Sequence, residues 1–329
     1  MQNSMKRAGS VFRSDAVQRL LALGALVILI IFFSIASEHF LTWSNAKGIF
    51  LATSVVGILA MGVTFVIITA GIDLSIGTVM TFSAVMTGVF ITNLGVPWPI
   101  GIFGGILAGT LMGTVNGTLV ARFGLPPFIA TLGMLNIARG LALVISELRP
   151  IYFPDQPGFN ETFMGSVTGD LGFVDIPNLV FVFFGVAIVA GFILSRTVLG
   201  RYIFAIGSNE EATRLSGVRS MRYKASAYVI SGTMAGIAGV VIAARLNSAQ
   251  PAVGFGYELD AIAAAVIGGT SLAGGEGSIF GTVIGAFIIS VLTNGLRLLG
   301  VPQEWQITIT GIIVILAVYL DILRRRQNA

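Results

Sequence analysis

GRYIFAIGSNEEATRLSGVRSMRYK, Gly200 to Lys224, is the one long cytosol-like run enclosed by apolar sequence in this chain, and it decides how the rest is read. It carries Arg201, Arg214, Arg219, Arg222 and Lys224 together with the acidic pair Glu210 and Glu211. Ser208 and Asn209 both suit a helix N-cap, and Glu211 stands at capping-box spacing from Ser208. This predicts a helix of about two turns from Glu210 to Ser216, closed by Gly217 in a left-handed conformation. Ala212 and Leu215, three apart, share one face of it. A short capped helix with one small apolar face and one charged face has the form of an element that docks into a groove of another protein. The plainer alternative is a loop whose cations only hold topology.

Outside this run the chain reads as membrane. Of 329 residues 55% are hydrophobic and 10% charged, whereas soluble domains carry about 25% charged residues. There is no cysteine and His39 is the only histidine, which excludes disulfides, thiolate chemistry, His or Cys metal clusters and a Ser-His-Asp triad. No metal, cofactor or catalytic residue is therefore expected. The net charge of +4 is spread by topology and forms no nucleic-acid patch.

Stretches near the ~20 residues needed to cross a bilayer lie at 19–37, 48–70, 75–94, 98–121, 126–147, 178–196, 224–246, 257–271, 277–299 and 304–323. The fold expected is an all-α integral membrane protein of about ten spans, some broken or re-entrant near 71–76 and 257–276, where Gly, Ser and an acid interrupt the run. The first stretch, Leu20 to Ile35, has the length of a signal peptide, but the even span count favours its retention. Lys6, Arg7, Arg13, Arg19, Arg122, Arg196, Arg201, Arg214, Arg219, Arg222, Lys224, Arg324, Arg325 and Arg326 then share one face. Lys47, Arg139, Arg149, Arg245 and Arg297 do not. The basic face is cytoplasmic, with both termini on it.

The organisation is a cytoplasmic tail (1–18), a single membrane domain (19–323) and a basic cytoplasmic tail (324–329). The domain has an outer loop at 148–177 and a cytoplasmic loop at 200–224. Asp155, Glu161, Asp170 and Asp175 make the outer loop acidic, and Pro154, Pro157, Gly158, Gly165 and Gly169 make it irregular. It is either a surface for a soluble partner or a tolerated insertion. Gly101, Gly105, Gly109, Gly113 and Gly117 recur every fourth residue, a smooth groove about 24 Å long for close helix packing. Asp73, in Gly71 to Gly77, is a helix cap or a substrate contact, with Ser75 the other candidate cap. Arg139 is paired, snorkelling or lining a polar path, and Asn116 and Asn136 are further path candidates. The glycine-rich Gly268 to Gly277 is no phosphate loop, because no lysine in the chain follows a glycine.

Four stretches in order carry a resemblance over most of the chain from Trp43 onward: GIDLSIG (Gly71 to Gly77), NGTLVARFGLPPFIATLGMLNIARG (Asn116 to Gly140), GSNEEATRLSGV followed by YVISGTMAGIAGVV (Gly207 to Val241), and ELDAIAAAVIGGTSLAGGEGSIFGTVIGA (Glu258 to Ala286). They resemble the permease subunits of ATP-binding-cassette importers of the ribose and monosaccharide type. The resemblance implies a multi-pass protein of the bacterial plasma (inner) membrane, paired with a second permease copy or a close relative. It further implies two cytoplasmic ATP-binding subunits and a soluble substrate-binding protein at the outer face. By the same resemblance, Ser208, Asn209, Glu210, Glu211, Ala212, Thr213, Leu215, Ser216 and Gly217 form the ATPase-coupling segment. The cargo implied is a ribose-like sugar, with branched-chain amino acids as the alternative within the family. An ion-coupled secondary transporter is the alternative outside it, disfavoured because Asp73, Glu258, Asp260 and Asp321 all fall near span ends.

Overall fold

Apolar runs bounded by proline, glycine and small polar residues fold as helices, in a computed structural model that describes residues 20–153, 158–172 and 174–328. The N-terminal tail with Lys6, Arg7, Arg13 and Arg19 lies outside the described residues, as do Pro154, Asp155, Pro157 and the side chains of Arg324, Arg325 and Arg326. In order, the helices are α1 (Leu20–Ala36), α2 (Trp43–Ile68), α3 (Ile76–Gly88, running on as a π turn over Val89–Asn93), α4 (Trp98–Ala121) and α5 (Pro127–Ile145). The outer loop then forms β1 (Ile151–Tyr152), α6 (Phe159–Met164) and α7 (Val167–Asp170). There follow α8 (Asn178–Arg196), α9 (Val198–Ser208), α10 (Glu210–Leu215), α11 (Ser220–Leu246), β2 (Ser248–Ala249), α12 (Tyr257–Ile267), α13 (Ile279–Leu298) and α14 (Gln303–Asn328).

The protein is an all-α integral membrane protein. Among the described residues, 7 helices are long and apolar enough to cross a bilayer: α2, α3 with its π turn, α4, α5, α8, α11 and α13. The remaining three expected spans are α1, the apolar Gln303–Leu316 part of α14, and α12. Helix α12 has only 11 residues, about 16 Å of rise, and stops at Gly268 instead of reaching 271. It is a half-length helix whose C-terminal end at Gly268 packs against the backbone of Gly281 and Thr282 in α13, while a methyl on Gly256 at its N-cap would meet nothing within 4 Å.

Every residue of α2 from Thr53 to Ile68 is buried. Helix α11 lies beside it, and α4 lies on α11 with glycine against glycine. Gly109 and Gly113 face Gly232 and Gly236 so closely that a methyl on Gly109 would stand 2.6 Å from the Gly232 carbonyl oxygen. The outer two glycines of the same ladder, Gly101 and Gly105, meet Ile91 and Thr87 of the α3 segment, while Gly117 meets Ala225. Hydroxyl pairs add to the contacts: Thr110 with Thr233 at 3.0 Å and Thr64 with Thr282 at 2.8 Å. The outward faces of α4 and α8 stay apolar and exposed, with Phe103, Leu111, Ile188 and Phe192 on them.

The two ends of the bundle differ. At the end expected to face outward Lys47 Nζ lies 2.6 Å from an Asp175 carboxylate oxygen, and the Trp43 indole donates to the Asp175 carbonyl at 3.2 Å. There β1 pairs antiparallel with β2, Ile151 opposite Ala249 and Tyr152 opposite Ser248, tying the outer loop to the turn after α11. Phe153, Phe159 and Phe163 cluster below it. The outer loop, expected to be irregular, thus holds two short helices and a ribbon strand. At the opposite end lie α9, α10, the turn at Arg122 and the loop between α12 and α13.

Candidate functional site

Thr197 opens the charged segment expected to be cytoplasmic by capping α9, its hydroxyl accepting from the Gly200 amide at 3.3 Å. Ile203 and Ile206, three apart, are buried, while Arg201 on the other face is exposed. The Tyr202 and Tyr223 rings, 4.6 Å between centroids, fasten α9 to the start of α11. Asn209 alone separates α9 from α10. Its backbone is extended and its side-chain oxygen accepts from the Ala212 amide at 2.9 Å. The N-cap is therefore Asn209. Ser208 is the last residue of α9, and the expected capping box between Ser208 and Glu211 does not form, because moving the cap by one residue puts Ala212 at the position the acid would need.

Helix α10 is anchored on one side only. Thr213 is buried and its hydroxyl returns to the Asn209 carbonyl at 2.8 Å; Lys224 reaches Glu210 at 2.9 Å; Ser216 bonds the Ala212 carbonyl. Gly217, at φ +83°, ends the helix in the left-handed conformation expected, and the Val218 amide closes back on the Thr213 carbonyl. Glu211, Ala212, Arg214 and Leu215 are left exposed, Leu215 by 78%. An open groove beside them is lined by Glu211, Arg214, Val218, Arg219, Met221 and Arg222. Acids in the first turn and Arg214 in the last complement the helix dipole, so the helix holds its form without burying the second face.

Deep in the bundle, the break between α2 and α3 is organised by Asp73. One carboxylate oxygen accepts from the Ser75 amide at 3.0 Å and the Ser75 hydroxyl at 2.6 Å; the other accepts from Ser231 of α11 at 2.7 Å. Asn116 of α4 donates to the Ser75 hydroxyl at 2.9 Å. All four residues are buried. Neither member of the expected pair caps α3: Asp73 makes a turn on Ser75 just ahead of the helix, and Ser75, at the N-cap position, makes no side-chain cap bond. The Tyr228 hydroxyl lies over Gly71, and it and Asn116 Oδ1 find no hydrogen-bond partner among the described residues.

The structure separates the four path candidates into two places. Asp73 and Asn116 share this buried knot. Asn136 and Arg139 lie on the exposed face of α5, where Asn136 bonds its own helix at the Leu132 carbonyl. The Arg139 guanidinium sits 5.0 Å above the exposed Phe255 ring, and no carboxylate pairs with it among the described residues. Thr78 and Thr81 flank it in a small cleft. Phe255 escaped the sequence reading; an aromatic beside glycines in a loop gave no signal, and its role emerges only from the arginine above it. No group of three His, Cys, Asp or Glu side chains that could hold a metal ion occurs among the described residues.

A membrane bundle with two broken helices, an exposed charged helix at one end and a polar exposed face is matched in sequence from residue 45 to 318 by the family described as branched-chain amino acid transport system / permease component. The chain belongs to this permease family. The permease is 41% identical over 300 residues to the ribose import permease protein RbsC of Escherichia coli (strain K12), covering 90% of this chain and 91% of that one. It is 39% identical over 329 residues to the ribose import permease protein RbsC of Bacillus subtilis (strain 168), covering 100% and 98%. It is 40% identical over 295 residues to the D-allose transport system permease protein AlsC of Escherichia coli (strain K12), covering 90% and 88%. No solved structure matches the permease.

Proposed function

We propose that this chain is the membrane permease of an ATP-driven importer that carries a ribose-like monosaccharide inward. ATP hydrolysis belongs to two cytoplasmic subunits that grip α10, and a soluble binding protein delivers the sugar to the outer end. The observation that carries the reading is α10 itself. It is anchored through Thr213 and the Glu210–Lys224 pair, yet it leaves Leu215 and the charged groove beside it uncovered at the cytoplasmic end of a membrane protein. Such an exposed anchor with a charged rim is what helix-in-groove docking uses.

The sugar assignment is supported by the relatives, whose names specify ribose and D-allose transport over nearly the full chain. Within the protein, the exposed face of α5 lines the path, closed by a second copy of the permease. A bare guanidinium facing lipid is costly, so Arg139 belongs beside water or a second chain. An aromatic ring, a guanidinium and hydroxyls suit a neutral polyol, the ring meeting its C–H face and the donors its oxygens.

The test is copurification and reconstitution with the ATP-binding subunits. Leu215→Asp combined with Glu211→Ala changes two exposed side chains, so the fold survives. The expected result is that the subunits bind wild type and not the variant, and that ATP-dependent sugar uptake disappears with them. Uptake by the purified chain alone, driven by an ion gradient, would instead identify a secondary transporter.

A further inference from the structure

The glycine-rich stretch between α12 and α13 is no phosphate loop, yet it meets the end of α9, which a single residue joins to α10. The Gly275 amide donates to the carbonyl of Ile68, the last residue of α2, at 2.9 Å. Gly207, next to last in α9, lies against that same carbonyl; a methyl on Gly207 would collide with Ile68 O and stand 2.5 Å from the Gly275 nitrogen. Gly274 and Gly275, at φ +85° and +76°, face the Gly207 carbonyl and Ser208. Ala70, the second residue after α2, is itself left-handed at φ +59° and stands under Gly274. Three segments distant in sequence therefore meet backbone to backbone: the end of α9, the end of α2 and the tip of the α12–α13 loop.

Contacts of this kind have no flexible side chain to absorb displacement. Helix α9 is joined to α10 through the single residue Asn209, whose side chain caps α10. Beyond the junction, Ala70 leads within three residues to Asp73, which is bonded to α11 through Ser231 and, by way of Ser75, to Asn116 of α4. On its other side, the first turn of α12 carries buried Glu258, whose carboxylate lies against Gly77 at the start of α3. Movement of α10 thus has a contiguous route to both broken helices.

We infer that Gly207, Gly275 and Ala70 are positioning residues for transport, forming a seat through which displacement of α10 moves the α2–α3 break and the half-helix α12. The inference rests on α10 being the ATPase-docking element. It gives the Gly268–Gly277 loop a mechanical role in place of the anion binding its composition suggests. The loop's own bonds, from the Ser271 amide to the Glu276 carbonyl and from the Gly274 amide to the Ser271 carbonyl, hold its shape as the seat requires.

The test uses the assembled transporter in liposomes, with ATP-binding subunits, binding protein and ribose. For Gly207→Ala the expected result is that subunits remain bound and basal ATP hydrolysis persists, while sugar moved per ATP falls about tenfold and stimulation by the loaded binding protein is lost. A wild-type ratio of sugar to ATP overturns the inference. Where Gly207→Ala does not assemble, Ala70→Gly decides, because it adds no atoms and keeps positive φ accessible. It is expected to leave assembly intact and lower the sugar-to-ATP ratio, and an unchanged ratio overturns the seat. Failure of the underlying docking reading is distinguishable: wild type then binds no ATP-binding subunit at all, and the seat falls with it.

Discussion

Asp73 shows what one buried residue does for a broken membrane helix. The break leaves backbone amides without helical partners in a place water does not reach, and the carboxylate supplies acceptors for the Ser75 amide and for two hydroxyls. Removing it strands Ser75 and Ser231 as buried donors, each costing about 1–3 kcal/mol. Asp73→Ala is therefore expected to lower the thermal unfolding midpoint in detergent clearly, and Asp73→Asn much less, since an amide oxygen still accepts; equal midpoints for wild type and alanine variant would refute this. GIDLSIG marked the helix break and offered Asp73 or Ser75 as the cap of α3, but neither caps it; Asp73 instead holds the turn before it. Its partners were not legible, because Asn116 and Ser231 lie far along the chain and only packing brings them in. At the far end of the bundle from α10, the hydrogen bond from Lys47, and next that from Ser166, hold the Asp175 carboxyl below the ordinary carboxylate range. A depressed folded-state pKa gives stability that is complete above the unfolded value and lost as pH falls through the folded one. The difference in unfolding midpoint between wild type and Lys47→Met is thus expected to persist at neutral pH and vanish in acid. A difference that grew in acid would contradict the pairing.

Among elements, helix positions were legible and helix contacts only in part. Hydropathy marked α2, α4, α5, α8 and α13 because a bilayer imposes length and apolarity together. The glycine interruption after Ile267 marked α12 as broken, since only glycine-rich backbone tolerates such an exit. Helix α9 was missed as a separate element, although Ile203 and Ile206 at helical spacing after the potential cap Thr197 were there to be read. The charges that follow drew the segment into a loop. The β1–β2 ribbon left no trace, as two residues per strand carry no periodicity. The glycine ladder of α4 announced close packing, but not that its outer two members would serve α3 and its inner three α11. This division gives a graded expectation. Gly109→Leu must force α4 off α11 and is expected to cost about 2–3 kcal/mol of stability or prevent folding. Gly185→Leu on the open apolar face of α8, where nothing lies within 4 Å, is expected to leave expression and unfolding unchanged. Equal behaviour of the two in a detergent melting assay would remove the packing argument.

For the molecule as a whole, the question is which surface meets lipid and which meets another chain. Both α8 and α5 are exposed along much of their length, but the exposed residues differ: α8 shows Phe181, Ile188, Val189 and Phe192, whereas α5 shows Asn136 and Arg139 among its apolar residues. A hydrocarbon environment tolerates the first set and penalises the second, which is why we propose the α5 face as the one a second copy and a wet path cover. The absence of cysteine makes this directly measurable, because any introduced thiol is unique. Asn136→Cys in native membranes is expected to form a disulfide-linked dimer on mild oxidation and to react with a water-soluble maleimide. Ile188→Cys on α8 is expected to do neither. The sugar should protect the Asn136→Cys thiol if the path runs between the two copies, since cargo and reagent then compete for one space. Crosslinking through Ile188→Cys with an inert Asn136→Cys would move the interface to α8 and leave Arg139 facing lipid, which its charge makes the costlier arrangement. The chemistry of the α5 face, more than its shape, is what selects between the two surfaces.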